Sequence, residues 1–294
     1  MGRQYSLEIE YSRSEPGGDF NEDAIGSCGN AVWILDGATS VGDPCIDAPS
    51  DAQWYVRTFS KSLESGLLLN ATLPTRDLLK QSITATAELF AKQNLRANPE
   101  RHELPSAAFA MARILENKFE LSALGDCNAI FRSQTGRIRQ FADPALAQLE
   151  AELLDELVSQ KRSGPGSDGV CARAQMAPQL RATRSKMNCP DGYWILSFDH
   201  DAVDHIACAA IDLEHALNRR VLLVSDGFAR LWETFGAVQL DDFLVATTSL
   251  LLDDAFARLR ELENADPECR QYPRFKRHDD ATCVSVTVTE HQLN

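Results

Sequence analysis

The chain has 294 residues, 44% of them hydrophobic and 24% charged, a balance that excludes a disordered or collagen-like polymer. Asp and Glu number 43 against 29 Lys and Arg, a formal net charge of −14, so a nucleic-acid backbone would be repelled and a polybasic membrane anchor is not expected. No apolar run approaches the roughly 20 residues that span a bilayer, and the start, Met1-Gly2-Arg3-Gln4-Tyr5-Ser6, has no apolar leader.

Gly2 and Ser6 do match a short myristoylation pattern. The residues after them read as a strand, so no lipid is expected. The 8 cysteines include no Cys-x-x-Cys pair, and Cys28, Cys208 and Cys283 sit in apolar runs. That usage suits reduced thiols, and the expected location is cytoplasmic.

In chain order, Tyr5, Leu7 and Ile9 alternate and predict a strand over 5–12. Gly17-Gly18 marks a turn. Residues 23–28 and 30–35 predict a hairpin around Gly29-Asn30. Its second arm, Ala31-Val32-Trp33-Ile34-Leu35, is apolar throughout and should be buried on both faces. Ser50 can cap a helix, with Gln53 closing a capping box, and Val56, Phe59, Leu63 and Leu67 then share one face. A second helix starts near Pro74-Thr75 with a stripe of Leu79, Ile83 and Phe90.

A meander follows, with short strands over 105–115, 118–125, 127–132 and 137–141. Asp143 caps a third helix, with Pro144 at its first position and Leu146, Leu149, Leu153 and Leu157 on its apolar face. Ser163 to Gly169 reads as a loop or flap. Strands return over 192–197 and 219–224. Residues 227–264 read as helical with a break near Gly236, and Ala281–Thr289 alternates as a closing strand. Hairpin-linked strands and separate helices indicate α+β, sheet packed on sheet with helices outside. No linker divides the chain, so residues 1–294 are expected to form one domain, with a helical and flap insertion around 143–190.

The chemistry-bearing pattern is a repeated junction in which an apolar strand runs into an acidic residue beside Gly. It occurs at Leu35-Asp36-Gly37, Leu124-Gly125-Asp126 and Ser225-Asp226-Gly227, while Glu22-Asp23 and Asp279-Asp280 open strands. Asp-Gly alone is a common turn pair; the set is what carries weight. Carboxylates gathered at strand tips repel by roughly 4 kcal/mol per close pair at an effective dielectric near 20, so they call for cations. Oxygen-only donors favour hard ions such as Mg²⁺ or Mn²⁺ over Zn²⁺.

These residues resemble the metal-dependent PPM-type Ser/Thr phosphatases, the protein phosphatase 2C family, over nearly the whole chain. Asn21-Glu22-Asp23-Ala24 resembles the opening acidic motif, and Val32 to Gly37 the strand that ends in the metal-bridging Asp. Pro105-Ser106-Ala107-Ala108 is similar to the start of the central strand, with Ala107 where Thr is usual. Leu124-Gly125-Asp126-Cys127-Asn128 is similar to the Gly-Asp-Ser-Arg motif, Leu222 to Phe228 to the Ser-Asp-Gly motif, and Asp279-Asp280-Ala281-Thr282 to the acidic motif before the last strand.

The resemblance implies a four-layer αββα sandwich with two packed antiparallel sheets and a metal cleft at one end. It implies a phosphatase that hydrolyses phosphoserine and phosphothreonine monoesters by attack of a metal-activated water. Asp36, Asp226 and Asp279 would be the catalytic set. Asp23, Asp36, Gly37, Asp126, Asp226 and Asp279 would hold two Mg²⁺ or Mn²⁺ ions, and Asp126 with Asp226 can recruit a third. Glu22 and Asp280 would support them indirectly. The substrate would be a phosphoprotein or a phosphorylated small molecule, handled by a monomer.

Two family features are missing. The phosphate-gripping Arg before the acidic pair is replaced by Gly17, Gly18 and Asp19, with Arg13 the closest arginine, and no His follows Asp36-Gly37. His278, beside Asp279, can take the proton-donating role, while His200 and His205 lie in an acidic loop. A basic excess at Arg162, Arg173, Arg181, Arg184 and Lys186 can meet the substrate phosphate in place of the missing Arg. The alternative reading is a catalytically weak pseudophosphatase that binds phosphoproteins as a regulatory module.

Overall fold

The computed structural model describes residues 3–133, 135–143, 145–146, 148–149, 151–155, 176–245 and 250–292. Among the described residues, ten strands form two five-stranded sheets, antiparallel throughout. Sheet I has the order β1 (Arg3–Glu15), β10 (Ala281–Gln292), β9 (Arg220–Val224), β6 (Asn128–Arg132) and β7 (Ile138–Phe141). Sheet II runs β2 (Asp23–Cys28), β3 (Ala31–Gly37), β4 (Ala107–Leu115), β5 (Lys118–Leu124) and β8 (Ala207–Asp212).

Side-chain alternation explains the four layers. On β3, Val32 and Ile34 face the space between the sheets, where they meet Ala129, Leu223, Val284 and Val286. Trp33 and Leu35 face the other way, onto helices α1 (Asp51–Leu69) and α2 (Thr75–Gln93). On sheet I, Leu222, Val224 and Cys283 face outward onto Phe228 of helix α5 (Asp226–Glu233) and Phe256 of helix α7 (Leu250–Ala265). The uninterrupted apolar run of β3 thus follows from a helix layer on one side and a sheet on the other. Burying each large side chain contributes roughly 1.5–3 kcal/mol.

Helix α1 starts where the sequence places it: Ser50 caps it by accepting a 3.0 Å bond from the Gln53 N–H. The capping box does not close, because the Gln53 side chain donates to the Asn21 carbonyl instead. Asp143 also caps as expected, accepting from the Ala145 N–H at 2.9 Å. Leu157, Arg162, Arg173 and the loop 163–169 lie outside the described residues.

Two expectations fail. Residues 192–197 are not a ladder strand. They touch their neighbours through isolated bridges, Ala107 to Leu196 and Met187 to Tyr193, and their apolar side chains fill the layers on both sides of sheet II. The edge strand β8 was not foreseen; its Ala-rich sequence and half-exposed pattern carry little strand signal. The helical stretch after residue 226 breaks at Gly236, which has a φ of +56°, and continues as α6 (Leu240–Val245) and α7. Two further short helices are α3 (Ala177–Arg184) and α4 (Leu213–Ala216). Among the described residues, seven cysteines are free thiols and no helix is long and apolar enough to cross a membrane.

The chain passes very close to itself at Gly227, where a Cβ would fall 1.9 Å from the Asp280 carbonyl oxygen. Gly227→Ala is therefore expected to destabilise the fold by roughly 1–3 kcal/mol through overpacking. A urea melt with an unchanged midpoint would contradict this contact.

Candidate active site

The strand registers bring the acidic junctions to one end of the sandwich. Asp23 faces Asp36 across β2 and β3, and Asp36 faces Ala108 on β4. Phe109 on β4 pairs with Leu124, which leads into the Gly125-Asp126 turn. Asn128, just after that turn, pairs with Val224 on β9, and Val224 pairs with Cys283 on β10. Asp226 then opens α5, where the positive end of the helix dipole favours its charge.

Glycine sets two of these approaches. Gly37 donates to the Glu22 carbonyl at 3.0 Å, and a Cβ on it would sit 2.5 Å from that oxygen. Gly125 adopts a φ of +74°, the left-handed region that glycine enters without strain.

A cleft of about 110 Å³ opens at this end. Asp36, Asp126, Asp226 and Asp279 line it together with Gly37. Asp23 lies beneath, buried. Its Oδ2 accepts from the Thr282 hydroxyl at 2.6 Å, tying sheet II to the start of β10, while its Oδ1 has no partner. Burial pushes the Asp23 carboxyl well up, reinforced by Asp280 and Asp226. Asp36 is also pushed well above the carboxylate range, by burial first and then by the charges of Asp23, Asp226, Asp126 and Asp279.

Among the described residues, no three His, Cys, Asp or Glu side chains close into a finished cage. The donor set nevertheless suits hard divalent ions: oxygen donors only, an orphaned buried carboxylate oxygen and mutual repulsion that a cation would relieve.

The two expected supporting residues hold protein rather than face the cleft. Glu22 accepts from the Thr39 and Ser50 hydroxyls. Asp280 accepts from the Gly17 and Glu22 N–H groups at 2.6 Å each, fixing the N-terminal acidic segment. Asp279 is engaged differently. Its Oδ2 pairs with Arg230, one helical turn after Asp226, and its Oδ1 pairs with Lys276 at 2.7 Å. Arg230 also reaches the fully buried Glu263 at 3.3 Å.

Both cations line the cleft, as does Arg184 on α3. The sequence reading reached Arg184 and missed the other two. Their signal is spacing alone: Arg230 at i+4 from Asp226 on one helix face, and Lys276 three residues before Asp279. Arg181 turns aside and donates to the Val41 carbonyl at 2.9 Å. Arg13 is held by Asp253 and Glu15 and stacks over Phe256, away from the cleft.

The histidines do not reach the cleft lining. His278 bonds Asn264 at 3.1 Å, and burial plus neighbouring arginines lower its pKa. His205 stacks on Trp194 with centroids 3.6 Å apart, and His200 meets Thr84.

The family model for protein phosphatase 2C matches residues 13–265. The chain belongs to the protein phosphatase 2C family. That match ends before Asp279, so the last acidic motif stands on its resemblance and on the geometry above. A solved bacterial serine phosphatase is similar at 14% identity, covering 100% of both chains with a TM-score of 0.53. The PPM Ser-Thr phosphatase MsPP from Mycobacterium smegmatis is 16% identical, with 97% of each chain covered and a TM-score of 0.51. Stp1, a serine/threonine phosphatase from Staphylococcus aureus, is 15% identical, covering 97% of this chain and 94% of its own, with a TM-score of 0.51. At these identities the likeness shows the fold. No curated protein matches.

The raised Asp23 carboxyl gives a signed pH dependence. Below its ordinary 3.8, both folded and unfolded states hold the proton and no penalty exists. Between there and about 8 the folded chain keeps a proton that the unfolded chain has released, so stability falls as pH rises, by up to about 1.4 kcal/mol per pH unit for one proton. Metal-free protein should therefore melt lower at pH 8 than at pH 5.5, and Asp23→Asn should flatten that slope. A slope identical in the variant would remove Asp23 as its source.

Proposed function

We propose that this chain hydrolyses phosphoserine and phosphothreonine monoesters with the help of Mg²⁺ or Mn²⁺. The observation that supports the reading most is the convergence of Asp36, Asp126, Asp226 and Asp279 on one cleft, above the buried Asp23. Asp23, Asp36, Asp126, Asp226, Asp279 and the Gly37 carbonyl would hold the ions. Divalent ions bound there would supply a water of lowered pKa and neutralise phosphoryl charge.

The chain's own residues do the rest. A phosphate dianion entering among carboxylates is repelled unless cations meet it. Arg184, Arg230 and Lys276 line the same cleft and supply that charge in place of the missing N-terminal Arg. Glu22 and Asp280 keep the acidic opening segment against Gly37 and Gly17. Leu146, Leu180 and Thr183 contribute to the wall, which supports reading 143–190 as an insertion beside the cleft within one domain. The small volume suits a phosphoryl group, with the bulk of a phosphoprotein outside.

Hydrolysis of p-nitrophenyl phosphate is expected with Mn²⁺ and lost on chelation; activity that survives chelator would contradict the mechanism. Asp36→Asn should lower turnover by at least about 100-fold, roughly 2.7 kcal/mol, while raising the melting temperature of metal-free protein. Charge reversal at Arg184 should raise KM several-fold and leave Mn²⁺ affinity, measured by calorimetry, unchanged. Equal KM values would remove Arg184 from phosphate binding.

One observation favours the second reading, a phosphoprotein-binding module with little turnover. Both oxygens of Asp279 are already held by Arg230 and Lys276, so a metal must compete for them. Melting stabilised by Mn²⁺ without turnover across a phosphopeptide panel would select this reading.

A further inference from the structure

A second cavity, of about 380 Å³, lies between the sheets at the end away from the acidic cleft. The registers place it there: Phe119 is the second residue of β5, Phe131 the last but one of β6 and Val221 the second of β9. These three side chains give it an apolar floor, continuous with the inter-sheet core. Its rim carries Arg132, Arg139 and Arg219. The volume falls in the range of small-molecule sites, roughly 300–1,000 Å³.

The charges around it are unevenly matched. Arg132 pairs with Asp241 at 2.7 Å. Asp212 is taken by Lys118 at 2.5 Å, with His215 at 3.6 Å. Arg219 is half-buried, and its guanidinium donates to the carbonyls of Arg132 and Ser133, at 3.1 and 3.0 Å. Arg139 is exposed at the rim. Among the described residues, neither Arg139 nor Arg219 has a carboxylate within salt-bridge distance. In a chain of net charge −14, such a place is unusual: a partly desolvated guanidinium without a counter-charge favours an anion.

We propose that this cavity binds a small anion with a flat apolar body, of the class of aromatic carboxylates. The ring would sit against Phe119, Phe131 and Val221, and the carboxylate would meet Arg219 and Arg139. This site stands independently of the acidic cleft and of the reaction there.

The test is calorimetric titration of the full chain with 2-naphthoate and with its neutral analogue 2-naphthamide. Saturable one-to-one binding of the acid is expected, with the amide at least tenfold weaker. Arg139→Glu, at an exposed position, should weaken the acid at least fivefold with an unchanged melting temperature and unchanged phosphatase activity. Arg219→Gln should weaken it further, and Asp36→Asn should bind the acid as the parent does. No binding at millimolar acid, equal affinity for acid and amide, indifference to Arg139→Glu, or loss in Asp36→Asn would each overturn the proposal.

Discussion

Repulsion among carboxylates held at buried strand ends is the constraint around which this end of the molecule is organised. Asp23 and Asp36 are cross-strand partners, and three further aspartates face the same cleft. A fold that places like charges so closely in a low-dielectric setting loses stability unless something answers them. The protein answers in three ways. Two carboxyls are pushed towards their protonated forms. Asp280 is tied to backbone N–H groups. Asp279 is held between a guanidinium and an ammonium. Each answer is partial, which is the physical reason a divalent ion is proposed there.

The layers make this concentration tolerable. The three largest apolar clusters, one between the sheets and one under the helices on each outer face, anchor the strands well away from their tips. The strain is thus confined to a rim whose position is fixed by twelve-residue and seven-residue ladders. Thr282, bonded to Asp23 across the two sheets, couples the rims directly, so the two halves of the acidic set cannot drift apart independently.

Much of this was legible in the residue order. Junctions such as Leu35-Asp36-Gly37 could be read because a buried strand fixes its tip and glycine permits the close turn. Ser50 and Asp143 were readable as caps because their side chains have one local task. What escaped depends on distant partners. Tyr193 to Leu196 looks like a strand because it is apolar, yet its backbone finds only isolated bridges. The alanines of β8 say little without β5 beside them. Arg230 and Lys276 carry no motif, and their meaning comes only from Asp279. His278 misled because adjacency in sequence to Asp279 does not set the direction of its ring, which turns to Asn264.

The long pairing of β1 with β10, Arg3 against Gln292 through Glu15 against Ala281, has a consequence for biogenesis. As the polypeptide leaves the ribosome, β1 must wait for β10, because the neighbour it needs lies far along the sequence. Contacts of such separation form late and slowly. The same terminal stretch delivers Asp279, Asp280 and Thr282, so a nascent or truncated molecule lacks both its sheet edge and part of its acidic rim. Assembly of the acidic end is thereby deferred until β10 has been made.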